Sequence, residues 1–258
     1  MGEDDKYTYS GSGGVLVNRY GIRDAAVLDA AMNETATAAM SAMAAEVQPE
    51  RPGFDYLRHI HERMFTRIAP AIAGRIRDVD VQATGTGIPY CRPEYIEENL
   101  GALFRKLDRE DYLTGLTGRE FADRLADRWG ELSAIHPYRD GNTRSQSFYV
   151  TVIAERAGHP IDWQRVDVDT LRSLRLNAVA GQERPLADYL AGRLVTPGER
   201  AGSRPQLDPE LQRIVDVNKL NYPTSATEIR PPERGSAGPG RGYRPPQQGL
   251  SNDHGYGR

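Results

Sequence analysis

Nine consecutive residues concentrate the chemistry of this chain: His136-Pro137-Tyr138-Arg139-Asp140-Gly141-Asn142-Thr143-Arg144. Proline disfavours helical backbone in the residue before it, so the spacing predicts a helix that ends at His136. A short polar loop follows, and a new helix opens around Thr143. A helix N-terminus presents free N–H groups and the positive end of a dipole, which favours an anion, phosphate above all. Gly141 allows close backbone approach. Arg144, in the first turn, adds a fixed cation with bidentate reach. Asp140 supplies a hard oxygen for Mg²⁺, the usual companion of nucleotide phosphates. His136 is the only nearby side chain that changes protonation near neutral pH. An anion cradle, a metal ligand and a base in one loop point to phosphoryl or nucleotidyl transfer.

The elements that must hold this loop read as helices. The segment 24–46 is Ala-rich and periodic through Leu28, Ala31 and Met32. Leu57, Ile60, His61, Met64, Phe65 and Ile68 form a stripe at helical spacing. Pro93 suits a first helical position, followed by Ile96, Leu100, Leu103, Phe104 and Leu107. Phe121, Leu125, Trp129 and Leu132 predict the helix that delivers His136. Phe148, Val152 and Ile153 continue the helix after the loop, closed by Gly158. Leu171 with Leu174, then Leu186, Tyr189 and Leu190, give two more. Between Arg77 and Arg92 the pattern changes to alternating Val79 and Val81, a Gly-rich turn at 85–87 and Pro89, a β-hairpin signal.

With its flanks, LSAIHPYRDGNTR resembles the Fic motif, H-x-F-x-(D/E)-G-N-(G/K)-R-x-x-R. IPYCRPEYIEENLGALF, GIRDAAVLDAA and IHERMF are similar to other segments of that family, so the resemblance covers roughly residues 7–195. It implies a mainly α fold, a Fic-type helical bundle with a small β-hairpin flap near 79–90 and the motif at 136–147. It implies transfer of AMP from ATP, the co-substrate, to a hydroxyl of a target protein. In that scheme His136 is the general base and Asp140 holds Mg²⁺. Gly141, Asn142 and the Thr143 amide form the anion hole, and Arg144 grips the departing phosphates. The flap, through Val81, Thr84, Gly85 and Ile88, lays the target segment in register by strand pairing. Three positions depart from the pattern: Tyr138 for Phe, Thr143 for Gly, and Ser147 for the second Arg. The family's inhibitory pattern, (S/T)-x-x-x-E-(G/N), is not met, because Thr151…Glu155 is followed by Arg156 and Thr224…Glu228 by Ile229. The resemblance therefore implies a bacterial toxin controlled by a separate small antitoxin. Its alternative is a nucleotide- or partner-binding scaffold with weak turnover, or transfer of UMP, phosphocholine or phosphate.

Composition narrows the other classes. Lys+Arg is 33 and Asp+Glu is 36, a formal charge of −3, without the basic excess of a nucleic-acid coat. A single Cys excludes a disulfide framework or a Cys-rich zinc module. No apolar run reaches the ~18 residues of a membrane span. The opening MGEDDKYTYS is acidic and polar, unlike a secretory leader, so a cytoplasmic setting is expected. Residues 1–195 read as the catalytic domain. Residues 196–258 hold nine Pro and nine Gly and read as a disordered tail with a short helix at 208–220. Within the loop, Tyr138 reads as a core ring whose hydroxyl needs a partner; outside it, His61 reads as an interior histidine, His159 as a surface residue and Gly11-Ser12-Gly13-Gly14 as a linker.

Overall fold

The computed structural model describes residues 4–83 and 86–195. Thr84, Gly85 and the tail from 196 onward, with its expected helix at 208–220, lie outside the described residues. Within them the chain is a helical bundle, as expected. Seven α-helices occur in order: α1 Ala25–Ala44, α2 Phe54–Phe65, α3 Ile96–Arg109, α4 Gly118–Ile135, α5 Asn142–Arg156, α6 Val168–Val179 and α7 Arg184–Ala191. Pro93 opens a 3₁₀ turn that leads into α3. Among the described residues no helix is long and apolar enough to cross a membrane.

The bundle is organised around α5. Every residue from Arg144 to Ala154 is buried, with α2 and α4 packed on it. Along with Arg144, the residues Ser145, Gln146, Ser147 and Thr151 carry polar side chains, so burial needs internal hydrogen bonds. Ser145 Oγ donates to the Gly141 carbonyl at 3.0 Å and Thr151 Oγ1 to the Ser147 carbonyl at 2.9 Å. Gln146 faces α4, where its Nε2 donates to the Leu132 carbonyl at 3.3 Å.

α4 begins on a capping box, in which the Thr117 side chain accepts from the Glu120 amide and the Glu120 carboxylate accepts from the Thr117 amide. It buries Phe121, Leu125, Trp129 and Leu132, the stripe read from the sequence. α1 packs on α2 through Leu28, Met32, Ala36 and Met40.

No extended strand ladder forms among the described residues. Isolated antiparallel bridges pair Thr8 with Leu16, Ile76 with Tyr138, and Gln82 with Pro89. The first of these corrects one expectation. Gly11–Gly14 is a tight turn between two packed arms, and the Asp4 carboxylate accepts from the amides of Gly11 and Gly14. The apolar pair after it explains why: Val15 and Leu16 are buried in the core and pull the turn down with them.

Candidate active site

α4 stops where Pro137 requires, at a His136 backbone in the left-handed region with φ 47° and ψ 63°. A non-glycine residue there costs about 1–2 kcal/mol, so the surroundings must hold it. They do so through Arg77, whose Nε donates to the His136 carbonyl at 2.8 Å and whose backbone amide donates to the Pro137 carbonyl at 2.9 Å. His136 is partly exposed as a residue. Tyr90 stacks on its ring with centroids 3.7 Å apart and planes at 7°. The His136 Nδ1 is buried, and the Ser133 backbone faces the ring. Desolvation holds the His136 pKa well below the usual histidine value, and the charges of Arg77 and Arg175 push the same way. The ring is therefore neutral at neutral pH, the form that accepts a proton.

The turn after His136 is fixed by two side chains. Asn142 Oδ1 accepts from the Tyr138 amide at 2.9 Å, and its Nδ2 donates to the Tyr138 carbonyl at 2.7 Å. The Asn142 carboxamide thus clamps the loop, and what it presents to an anion is its main-chain amide in the first turn of α5. His61, fully buried on α2, accepts from the Gly74 amide at Nδ1 over 3.0 Å. That fixes its tautomer, so Nε2 donates to the Asp140 carbonyl at 2.8 Å. Its ring also stacks on Tyr138 at 3.8 Å. Tyr138 is a core ring as read, stacked on His61, but its buried hydroxyl finds no partner among the described residues.

Burial drives the His61 pKa down to about 3, with the Arg144 charge adding to the effect. Below pH 6.5 the unfolded chain takes up a proton at His61 that the folded chain refuses until about pH 3. Stability therefore falls as pH drops through that window, by up to about 1.4 kcal/mol per pH unit for this residue. Urea unfolding at pH 7 and pH 5 checks it. His61→Asn should lose less stability between the two than the natural chain; an equal loss contradicts the assignment.

Gly141 caps α5 with φ 76°. Sequence reasoning assigned its glycine to close approach of an anion; the structure shows close approach of the protein itself. A Cβ there would lie 2.2 Å from Phe65 Cε2 and 3.1 Å from His61 Nε2.

Arg144 is buried and pairs with Asp29 of α1, Nη2 to Oδ1, at 2.8 Å. No sequence signal marks Asp29, which is 115 residues away and sits in an Ala-rich helix. Burial raises the Asp29 pKa, opposed by Arg144 and assisted by the nearby charge of Asp140. Asp29→Ala removes the counter-charge of a buried cation and should lower stability by on the order of 3 kcal/mol. A urea-unfolding midpoint equal to that of the natural chain would contradict this.

Asp140 is partly exposed and lines a small cleft with Asp29, Gly14, Leu28 and Met32. Thr143 is also partly exposed, in the first turn of α5. Arg139, in the same loop, is buried and paired with Asp5 at 2.7 Å, which ties the N-terminal segment to the site. Across the loop, Val81 and Ile88 stand on facing arms of a hairpin: the Ala83 amide donates to the Ile88 carbonyl at 2.8 Å and the Tyr90 amide to the Val81 carbonyl at 3.2 Å. Thr84 and Gly85 fall outside the described residues. His159 is half-buried, its Nε2 2.7 Å from the Leu116 carbonyl, because the chain folds back after Gly158 onto the start of α4. Arg77, Tyr90 and Asp29 are the site-forming residues that sequence reasoning missed, and only their positions in the fold reveal them; His61 is the interior histidine read from the sequence.

Comparison with known proteins agrees with this geometry. The family model described as "Fic/DOC family" matches residues 53–154. The chain is 32% identical over 177 residues to the "Probable protein adenylyltransferase Fic" of Escherichia coli, covering 69% of this chain and 86% of that one. It is 31% identical over 166 residues to the protein adenylyltransferase VbhT of Bartonella schoenbuchensis, covering 64% of this chain and 34% of that one. Among solved structures it is similar to the BepC protein of Bartonella tribocorum with bound AMPPNP, at TM-score 0.65 and 25% identity over 73% of this chain and 96% of that one. The relatives and the solved structure agree with the helical fold, and the similarity in sequence shows the family: the chain belongs to the Fic/DOC family.

Proposed function

We propose that this protein is an adenylyltransferase that transfers AMP from ATP to a hydroxyl side chain of a target protein, with residues 1–195 as its catalytic domain. The observation that carries the reading is a partly exposed, neutral histidine held beside the first turn of a buried helix. That pairing joins a base to an anion site. The similarity to proteins named as adenylyltransferases, and to one solved with AMPPNP, supports the same donor here.

The target oxygen attacks the α-phosphorus, its proton passes to the His136 imidazole, the bond to the bridging oxygen breaks, and pyrophosphate leaves. The amides of Asn142 and Thr143 face the phosphate oxygens, where fixed dipoles stabilise developing charge without reorganisation. Arg144, anchored by Asp29, lies one residue further along the same turn and meets the departing phosphates. Negative charge from the polyphosphate raises the His136 pKa from its low resting value toward the range useful for a base. Asp140 offers a hard carboxylate oxygen on the cleft with Asp29 close by, a donor set that suits Mg²⁺. Bound there, Mg²⁺ would neutralise phosphate charge. The hairpin that carries Val81 and Ile88 is the surface on which an extended target segment pairs. With no inhibitory (S/T)-x-x-x-E-(G/N) pattern in the 258 residues, we assign control to a separate small protein, as for a toxin with its antitoxin.

Purified protein with Mg²⁺ and a bacterial lysate tests the reading, with ATP labelled in parallel at the α- and the γ-phosphate. The expected result is label on a protein from α and none from γ. Label from γ would make the site kinase-like and overturn it.

A further inference from the structure

We infer that Arg77 is a positioning residue for the transfer, one guanidinium that holds the base His136 in register with both arms of the flap. The inference rests on the role given above to His136. Arg77 is 2% exposed, yet it forms no ion pair with the described residues. Its acceptors are carbonyl oxygens from three separate segments. Nε donates to the His136 carbonyl at 2.8 Å, and Nη2 to the last carbonyl of α4, at Ile135, over 3.3 Å. Nη1 donates to the Val79 carbonyl at 2.8 Å, on the way into the flap. Nη2 also donates to the Cys91 carbonyl, on the way out of it.

A buried cation without a counter-ion is costly, so its hydrogen bonds must offset the lost hydration. Those of Arg77 brace the strained His136 backbone, so its structural and its positioning role meet at the base. The C-terminal end of α4 offers partial compensation, because its last carbonyls carry the negative end of the helix dipole. Those carbonyls belong to the base itself and the residue before it. The Arg77 amide reaches Pro137, Ile76 bridges Tyr138, and the Cys91 amide donates to the Ala134 carbonyl at 2.9 Å. The exit arm also carries Tyr90, whose ring lies flat on His136. Target-docking strand and base therefore share one rigid fork, whose planar five-donor geometry Lys does not reproduce.

The fork also sets the charge around the base. The groups that face His136 are Arg77 from the segment after Gly74, Arg175 from α6, Tyr90 from the flap exit, and the Ser133 backbone in α4. Removing the Arg77 charge raises the pKa of His136.

Two variants of the full chain test this, Arg77→Gln and Arg77→Lys, each checked for a cooperative thermal melt. The first readout is the histidine NMR titration, with the His136 signal assigned by its loss in His136→Ala. The midpoint should move up in Arg77→Gln and stay in place in Arg77→Lys. The second is the rate of α-label transfer from Mg²⁺ and ATP into lysate protein. Arg77→Gln should lose about 10²-fold in rate at saturating ATP with KM for ATP within about threefold, since a displaced base costs that much. Arg77→Lys should recover part of that loss and remain about tenfold below the natural chain. A folded Arg77→Gln with an unmoved His136 midpoint and a rate within about threefold of natural would overturn the inference. Should Arg77→Gln not fold, a natural rate in Arg77→Lys overturns it instead. If the natural chain transfers no label, the transfer reading fails on its own, and the titration still decides whether Arg77 governs His136.

Discussion

His136→Ala should abolish AMP transfer and leave the fold standing. A general base contributes about 10²–10⁴-fold, so the residual rate should fall by at least that factor. The ring takes little part in holding the bundle together. The residue is partly exposed, and the ring's aromatic contact is the Tyr90 stack, worth about 0.5–1.5 kcal/mol. The backbone hydrogen bond from Arg77 reaches the His136 carbonyl, which alanine retains. Initial rates of α-label incorporation beside a thermal melt check both halves. A rate equal to that of the natural chain removes His136 from the mechanism. A lost rate together with a collapsed melt would mean that the residue is structural.

Gly141→Ala should be at least as damaging, for a different reason. The new methyl would stand 2.2 and 2.5 Å from Phe65 Cε2 and Cζ, far inside contact distance. Phe65 is fully buried, so its ring has nowhere to go without moving α2. Overpacking of this kind costs about 1–3 kcal/mol, and the left-handed backbone adds about 1–2 more. The relief open to the chain is a shift of the first turn of α5, which carries the amides of Asn142 and Thr143 and the Arg144 guanidinium. We expect a loss of about 3 kcal/mol in urea unfolding and a transfer rate below a hundredth of natural, since ångström misplacement of positioning groups costs about 10²-fold. Natural stability in Gly141→Ala would contradict the packing of Phe65 against the loop.

Much of this arrangement can be read from local pattern. The stripes of α2 and α4 follow from 3.6-residue periodicity, and the end of α4 from Pro137. The helix that opens at Asn142 follows from the polar loop before it. Where local pattern falls short, tertiary contact decides. α5 carries Ser145, Gln146 and Ser147 in a row, a polar run that looks exposed until Gly141, α4 and α6 close around it. Gly11–Gly14 has linker composition, yet Val15 and Leu16 anchor it. Asn142 reads as part of an anion hole, and the fold shows a further task that local pattern does not announce: its carboxamide spans the Tyr138 peptide groups. Asp29 and Arg77 carry no motif at all. Each acquires a role only because the bundle brings a distant backbone or cation against it.

Mass spectrometry of a lysate protein labelled in the presence of ATP and Mg²⁺ tests the central claim most directly. The account predicts one added AMP on a serine, threonine or tyrosine hydroxyl, absent when His136→Ala replaces the natural protein. A modified residue bearing phosphate alone, or AMP still attached at full yield by His136→Ala, would contradict it.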